Sequence, residues 1–206
     1  VIKAIIFDLG KTVIPFDFQR AYMAIQEFCA YRAADIPKRL STSDLVLRFE
    51  QGLVEPHDFV RQLSELLEAR IGYDQFCRIW SSIFLPETLV PDSLIEALRE
   101  RYRVLLLSNT NAIHFPMVRD AYPILRHFDD YVLSYEVRAL KPSPLIYRAA
   151  IERAGCRPEE CFFTDDIAAY VEAACEQGMH AAQFVSREQL EDDLRACGVE
   201  WRKTHK

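Results

Sequence analysis

Ala4-Ile5-Ile6-Phe7-Asp8-Leu9-Gly10-Lys11-Thr12 sets an aspartate directly behind a short apolar run, and the same arrangement returns twice further along the chain. Val104-Leu105-Leu106-Leu107 runs into Ser108-Asn109-Thr110, and Cys161-Phe162-Phe163-Thr164 runs into Asp165-Asp166. Short apolar runs of this kind read as buried strands of a parallel sheet. In an open α/β sheet the ligand crevice lies beyond the carboxyl ends of the strands. Asp8, Ser108, Asn109, Asp165 and Asp166 all fall at such ends. The pattern therefore predicts one site with three carboxylates, a hydroxyl and an amide.

Outward from these strands the pattern changes twice. From Asp17 to Phe84 it is helical throughout, with helices expected over 18–33, 37–50, 56–69 and 73–84. Asp17 suits the first N-cap, and Gly52 and Gly72 suit helix ends or the turns after them. Beyond Pro86 and Pro91, strands and helices alternate again. Strands are expected over 104–107, 131–134, 161–163 and 180–184. Helices are expected over 93–101, 113–121, 144–154, 168–177 and 187–196. The fold class is thus α/β, a doubly wound (Rossmann-like) parallel sheet with an inserted four-helix bundle. Residues 1–15 and 87–206 form the expected core and 16–86 a helical cap, which leaves the core beside Asp8.

Bulk composition sets the outer limits. The 206 residues are 50% hydrophobic and 27% charged, ordinary for a soluble globular protein with a full core. A net charge of −6 argues against nucleic acid or an anionic membrane as the main partner. No apolar stretch is long enough to span a bilayer, and the chain opens in a strand pattern rather than a secretory signal. The six cysteines show no C-x-x-C pair and no zinc spacing, so free thiols and a reducing cytoplasm are expected. His57, His114, His127, His180 and His205 show no metal-ligand spacing either.

Asp8, Asp165 and Asp166 in one crevice would crowd negative charge at high cost unless a cation joined them. Lys141, in Ala139-Leu140-Lys141-Pro142, is one candidate. A hard, oxygen-liganded ion such as magnesium is the other. A carboxylate placed like Asp8 can attack phosphorus, splitting one difficult hydrolysis into two easier steps. Ser108 and Asn109 can donate to phosphoryl oxygens, although Ser-Asn-Thr-Asn is equally good turn chemistry.

Taken in order, Asp8-Leu9-Gly10, Ser108-Asn109, Lys141-Pro142 and Asp165-Asp166 resemble the sequence motifs of the haloacid dehalogenase superfamily, and the resemblance covers the whole chain, cap included. It implies that Asp8 is the nucleophile and that Lys141 is its charge partner. It also implies that Ser108, Asn109 and Lys141 hold the phosphate. Magnesium would be held by Asp8, Asp165, Asp166 and the backbone carbonyl of Gly10. The activity implied is Mg2+-dependent hydrolysis of a small phosphomonoester, a sugar phosphate, by a monomer or homodimer. The partner is then a small phosphorylated metabolite, with no nucleic acid and no membrane.

Two positions depart from the common pattern. Many family phosphatases carry Asp-x-Asp, whose second acid protonates the leaving group; here that position is Gly10. The Asp-Leu-Gly form resembles a branch similar to bacterial α-D-glucose-1-phosphate phosphatase. Tyr170 replaces an Asn or Asp near the end of the fourth motif, which weakens support for the metal site. Lys11 either projects to solvent or adds charge to the phosphate pocket. Phe16, Phe18 and Tyr22 are expected at the hinge or under the cap. With no acid at position 10, hydrolysis should depend steeply on leaving-group basicity. Two other functions compete: a 2-haloacid dehalogenase, which needs no metal and lacks the paired acids of the fourth motif, and a non-catalytic binding protein on the same scaffold.

Overall fold

A computed structural model describes residues 1–202; Lys203 and His205 lie outside them. Strand β1 (Ala4–Phe7) is followed by helices α1 (Phe18–Ile25), α2 (Ile36–Leu40), α3 (Leu45–Glu50), α4 (Pro56–Leu66) and α5 (Tyr73–Trp80). The alternating part follows as α6 (Asp92–Arg99), β2 (Arg103–Ser108), α7 (His114–Ala121), β3 (Asp130–Leu133), α8 (Ser134–Val137) and α9 (Pro144–Ala154). It ends with β4 (Cys161–Asp165), α10 (Ala168–Glu176), β5 (His180–Gln183) and α11 (Arg187–Ala196).

All pairings are parallel, in the order β3-β2-β1-β4-β5. Side chains of β1 alternate between two apolar layers, as the pleat requires. Ile5 and Phe7 pack with Leu94 and Leu98 of α6 and with Leu190 and Leu194 of α11. Ala4 and Ile6 pack with Ile146, Tyr147 and Ala150 of α9 and with Ala174 of α10. A sheet covered on both faces explains why its strands read as continuous apolar runs. Register then decides where the polar residues fall. Phe7 pairs with Leu106 on one side and Thr164 on the other, so Asp8 emerges beside Asp165 and just short of Ser108.

Residues 22–80 build a separate apolar cluster around Phe49, Phe59, Leu63, Phe76 and Trp80, joined from the sheet side by Ile113. The two chain crossings that lead into and out of this segment run side by side. Phe16 bridges Phe84 in antiparallel fashion, and Asp17 and Leu85 donate backbone hydrogen bonds to Ile83 and Pro15.

Several expected elements are divided or moved. The helix expected over 18–33 stops at Ile25 and tightens into a 3₁₀ turn at Gln26–Phe28. There the Phe28 carbonyl accepts from Arg70 N–H, and the Gln26 side chain accepts from Ala33 N–H. The helix expected over 37–50 breaks at 41–44, because the Ser41 and Thr42 hydroxyls donate to the Lys38 and Arg39 carbonyls while Ser43 accepts from Leu45 N–H. Five helices therefore stand where four were expected. Ser134 leaves the strand and opens α8, its hydroxyl donating to the Glu50 carbonyl and accepting from Thr110 N–H. Asp17 caps α1 as expected, accepting from Gln19 N–H at 2.9 Å, and Gly72 precedes α5. All six cysteines are free. No helix among the described residues is long and apolar enough to cross a membrane.

Candidate active site

Lys141 occupies the centre of the site. Its Nζ donates to Asp8 Oδ1 and to Asp165 Oδ2, both at 2.5 Å, and to the Leu107 carbonyl at 3.2 Å. All three charged side chains are buried: Asp8 is 6% exposed, Lys141 3% and Asp165 0%. Breaking such a pair on one side leaves an uncompensated interior charge, which costs about 3–5 kcal/mol. Asn109 fixes the lysine from behind: its Nδ2 donates to the Lys141 carbonyl and its Oδ1 accepts from Lys141 N–H.

Burial pushes the Asp8 carboxyl up, to about 7; Lys141 opposes that rise and Asp165 adds to it. For Lys141 burial acts downward, but Asp8 and Asp165 together hold the ammonium above its ordinary value. Burial and then Asp165 push the Asp166 carboxyl up, with Lys11 and Lys141 opposing. Burial is the largest influence on all three groups, and the charges of Asp165 and Lys141 modify it.

Asp8, Asp165 and Asp166 each offer a carboxylate oxygen, and these oxygens lie within 4.8 Å of one another. The Gly10 carbonyl, two residues after Asp8 in the chain, accepts no hydrogen bond among the described residues. Hard oxygen donors carrying excess negative charge fit a divalent cation such as magnesium. The remaining expected site residue, Ser108, is 2% exposed at the end of β2 and lines a cavity of about 110 Å³. Gly10, Asn109, Phe16, Phe18 and Phe84 line the same cavity. A wider open groove of about 650 Å³ between His57, Arg61 and Tyr73 contains none of these acids. His57 stacks there on Tyr73, with ring centroids 3.8 Å apart.

Gly10 is required by a close approach and not by its backbone conformation. The left-handed residue is Lys11, at φ 59°, while Gly10 itself is not left-handed. A Cβ on Gly10 would come within 2.6 Å of Phe16 Cε1, so the aromatic ring occupies the space of a side chain. Lys11 is exposed, its Nζ 5.2 Å from the Phe16 ring centroid. Tyr170 covers Lys141, whose Nζ lies 5.2 Å from its ring centroid.

Two cavity residues were missed in the sequence. Glu50 ends α3, and burial pushes its carboxyl up to about 7. His114 is 6% exposed; burial lowers its imidazole to about 4. It accepts from Asn111 Nδ2 and donates from Nε2 to the Trp80 carbonyl, so the neutral ring is fully satisfied. Neither residue stands in a motif, and both reach the cavity only through the way the helical segment docks. Aspartate at Asx and cap positions is recognisable from sequence; a glutamate at a helix end is not.

Comparison with known proteins identifies the family. Residues 2–176 match the family model of the haloacid dehalogenase-like hydrolases. The chain is 28% identical over 192 residues to a D-ribitol-5-phosphate phosphatase of Bacteroides thetaiotaomicron, covering 89% of this chain and 92% of that protein. It is 29% identical over 188 residues to a phosphatase of Mycobacterium tuberculosis, covering 87% and 86%. A crystal structure of a family enzyme from Bacteroides thetaiotaomicron, in complex with magnesium and inorganic phosphate, superposes with a TM-score of 0.80 at 30% identity over 91% of this chain and 96% of that one. With a family match across most of its length and these acids converging on one buried lysine, the chain belongs to the haloacid dehalogenase-like hydrolases.

Proposed function

We propose that this chain is a magnesium-dependent phosphatase that hydrolyses a small phosphomonoester of the sugar or sugar-alcohol class through an aspartyl-phosphate on Asp8. The observation that carries this reading is Lys141 held 2.5 Å from both Asp8 and Asp165, with Asp166 completing a cluster of acid oxygens. Buried acids crowded around a single lysine cost folding energy unless a cation or ligand offsets the charge, which supports a functional site. The similarity to a D-ribitol-5-phosphate phosphatase supports the substrate class.

In this reading Asp8 Oδ attacks phosphorus, and the bond to the leaving oxygen breaks in line with the attack. Lys141 keeps Asp8 ionised and oriented and offers positive charge to the phosphoryl group. The Ser108 hydroxyl and the backbone of Asn109 donate to phosphoryl oxygens, the Asn109 side chain being committed to Lys141. Asp8, Asp165, Asp166 and the Gly10 carbonyl would hold magnesium, which supplies charge neutralisation for the phosphate and the three acids. Residues 16–86 act as a cap over a core of 1–15 and 87–206, the paired crossings at Phe16 and Phe84 forming the hinge.

A 2-haloacid dehalogenase would use Asp8 against carbon and need no cation, which leaves Asp166 without a purpose. Phosphate release from a panel of phosphorylated sugars and sugar alcohols, measured with magnesium and with chelator, tests the proposal. Release that needs magnesium and disappears in Asp8→Asn supports it. Release unaffected by chelator, or retained in Asp8→Asn, contradicts it.

A further inference from the structure

Position 10 carries no acid and the Phe16 ring fills the space where one would stand, so a proton for the leaving group must come from another side. In an in-line displacement the leaving oxygen lies opposite the attacking atom. Asp8 attacks from the end of the sheet, so the leaving oxygen faces the helical segment. Among the residues lining the cavity beside Gly10, Ser108 and Asn109, Glu50 is the carboxylic acid.

We propose that Glu50 is the general acid of this enzyme, donating its carboxyl proton to the leaving oxygen and later taking one from the attacking water. The proposal rests on the phosphatase reading above. As Asp8 Oδ bonds to phosphorus, the electron pair of the breaking P–O bond stays on the leaving oxygen. That oxygen takes the Glu50 proton and departs as a neutral alcohol. Water then attacks the phosphorus of the aspartyl-phosphate and gives a proton to the Glu50 carboxylate. Phosphate leaves, Asp8 is regenerated as a carboxylate, and Glu50 returns to its acid form. No other co-reactant is needed.

The placement of Glu50 is built into the fold. Its backbone carbonyl accepts from Ser134 Oγ at 2.6 Å, and the same oxygen accepts from Thr110 N–H at 2.9 Å and lies 2.9 Å from the Thr110 carbonyl. One serine at the end of β3 thereby ties the end of α3 to the loop that carries Ser108 and Asn109. Two residues on, Gly52 lies so close to the turn opening α8 that a Cβ would come within 2.0 Å of the Tyr135 carbonyl oxygen. Glycine is required at this approach, where φ is 67°. While its backbone is docked this way, the Glu50 carboxylate has no hydrogen bond or ion pair to another described residue. Burial pushes its carboxyl up to about 7, so near neutral pH it exchanges readily between the acid form a donor needs and the carboxylate a base needs. His114 is the other titratable group lining this cavity, and the Glu50 charge also acts on Tyr170.

The test reads phosphoryl transfer alone, with enzyme in excess over substrate in the presence of magnesium. It compares an alkyl phosphate, such as a sugar-alcohol phosphate, with 2,4-dinitrophenyl phosphate, whose leaving group needs no proton. Glu50→Gln should slow alkyl-phosphate cleavage by about 100-fold or more and the dinitrophenyl ester by less than about threefold. The first turnover of the aryl ester in the same variant shows that the site is intact. In the unmodified enzyme, a series of aryl and alkyl phosphates should show only a shallow dependence on leaving-group basicity, steepening in Glu50→Gln. Equal losses on both substrates, no loss on the alkyl phosphate, or a steep dependence already present in the unmodified enzyme would each overturn the assignment. Absence of dinitrophenol release by the unmodified enzyme would overturn the phosphatase reading itself, an outcome distinct from the others.

Discussion

The Phe16 ring stands where a side chain on Gly10 would begin, with Phe16 Cε1 2.6 Å from the position of a Gly10 Cβ. The absence of an acid two residues after Asp8 is thus tied to an aromatic residue on the paired crossings at Phe16 and Phe84. Gly10→Asp should not create a proton donor. It should push the ring aside at a cost of about 1–3 kcal/mol, read as a lower urea midpoint, with turnover reduced. Shortening the ring in Gly10→Asp/Phe16→Ala should recover part of that loss, giving a coupling of about 0.5–3 kcal/mol between the two sites. Strict additivity would show that the ring does not govern position 10.

Asp8→Asn should abolish turnover, by at least about a thousandfold, while the unfolding midpoint changes little. The amide keeps the shape of the carboxylate and relieves its repulsion with Asp165. Residual turnover near that of the unmodified enzyme would place the nucleophile elsewhere.

Lys141→Met leaves Asp8 and Asp165 buried without their ammonium partner and should destabilise the fold by about 3–5 kcal/mol in chelator. Magnesium at about a hundredfold excess over its dissociation constant should return about 3 kcal/mol, since a cation bound only to the folded state stabilises it. Thermal melts with and without magnesium check this. A variant indifferent to magnesium would mean that the acids do not form a cation site.

His114 sets a pH dependence of known sign. Its imidazole is lowered to about 4 in the fold by burial, against an ordinary value of 6.5. Between these values the unfolded chain binds the proton and the folded one does not, so this residue costs stability progressively as pH falls from 6.5 to 4. The full cost is about 3 kcal/mol. The raised carboxyls of Asp8 and Glu50 act in the opposite direction but are common to both proteins when wild type is compared with His114→Gln. The stability difference between the two should therefore shift in favour of the variant on acidification. A constant difference would show that His114 titrates normally.

What could be read in the sequence follows from which interactions are local. The strands around Ile6, Leu106 and Phe163 declare themselves because a sheet covered on both faces needs uninterrupted apolar residues. Asp8, Lys141, Asp165 and Asp166 stand directly after such strands or beside Lys-Pro, so their convergence follows once the sheet is parallel. The break at 41–44 was hidden because hydroxyls of Ser41 and Thr42 compete for helix carbonyls at close range, a balance that apolar periodicity does not register. Glu50 and His114 were invisible as site residues for a different reason. Their positions depend on Ser134 and Gly52 docking α3 to the core and on the Trp80 carbonyl, contacts separated by 84 and 34 residues for the two hydrogen bonds concerned. The space taken by Phe16 is likewise a tertiary fact, which no local pattern around Gly10 reports.

The most direct measurement of the central claim is a crystal structure of the protein grown with magnesium and beryllium fluoride, a mimic of the phosphoryl group. The mimic should be attached to the Asp8 carboxylate, with Lys141 Nζ still in contact with Asp8 and the cation held among Asp8, Asp165 and Asp166. A mimic bound to any other side chain, or a cation that binds without contact to Asp165 or Asp166, would contradict it.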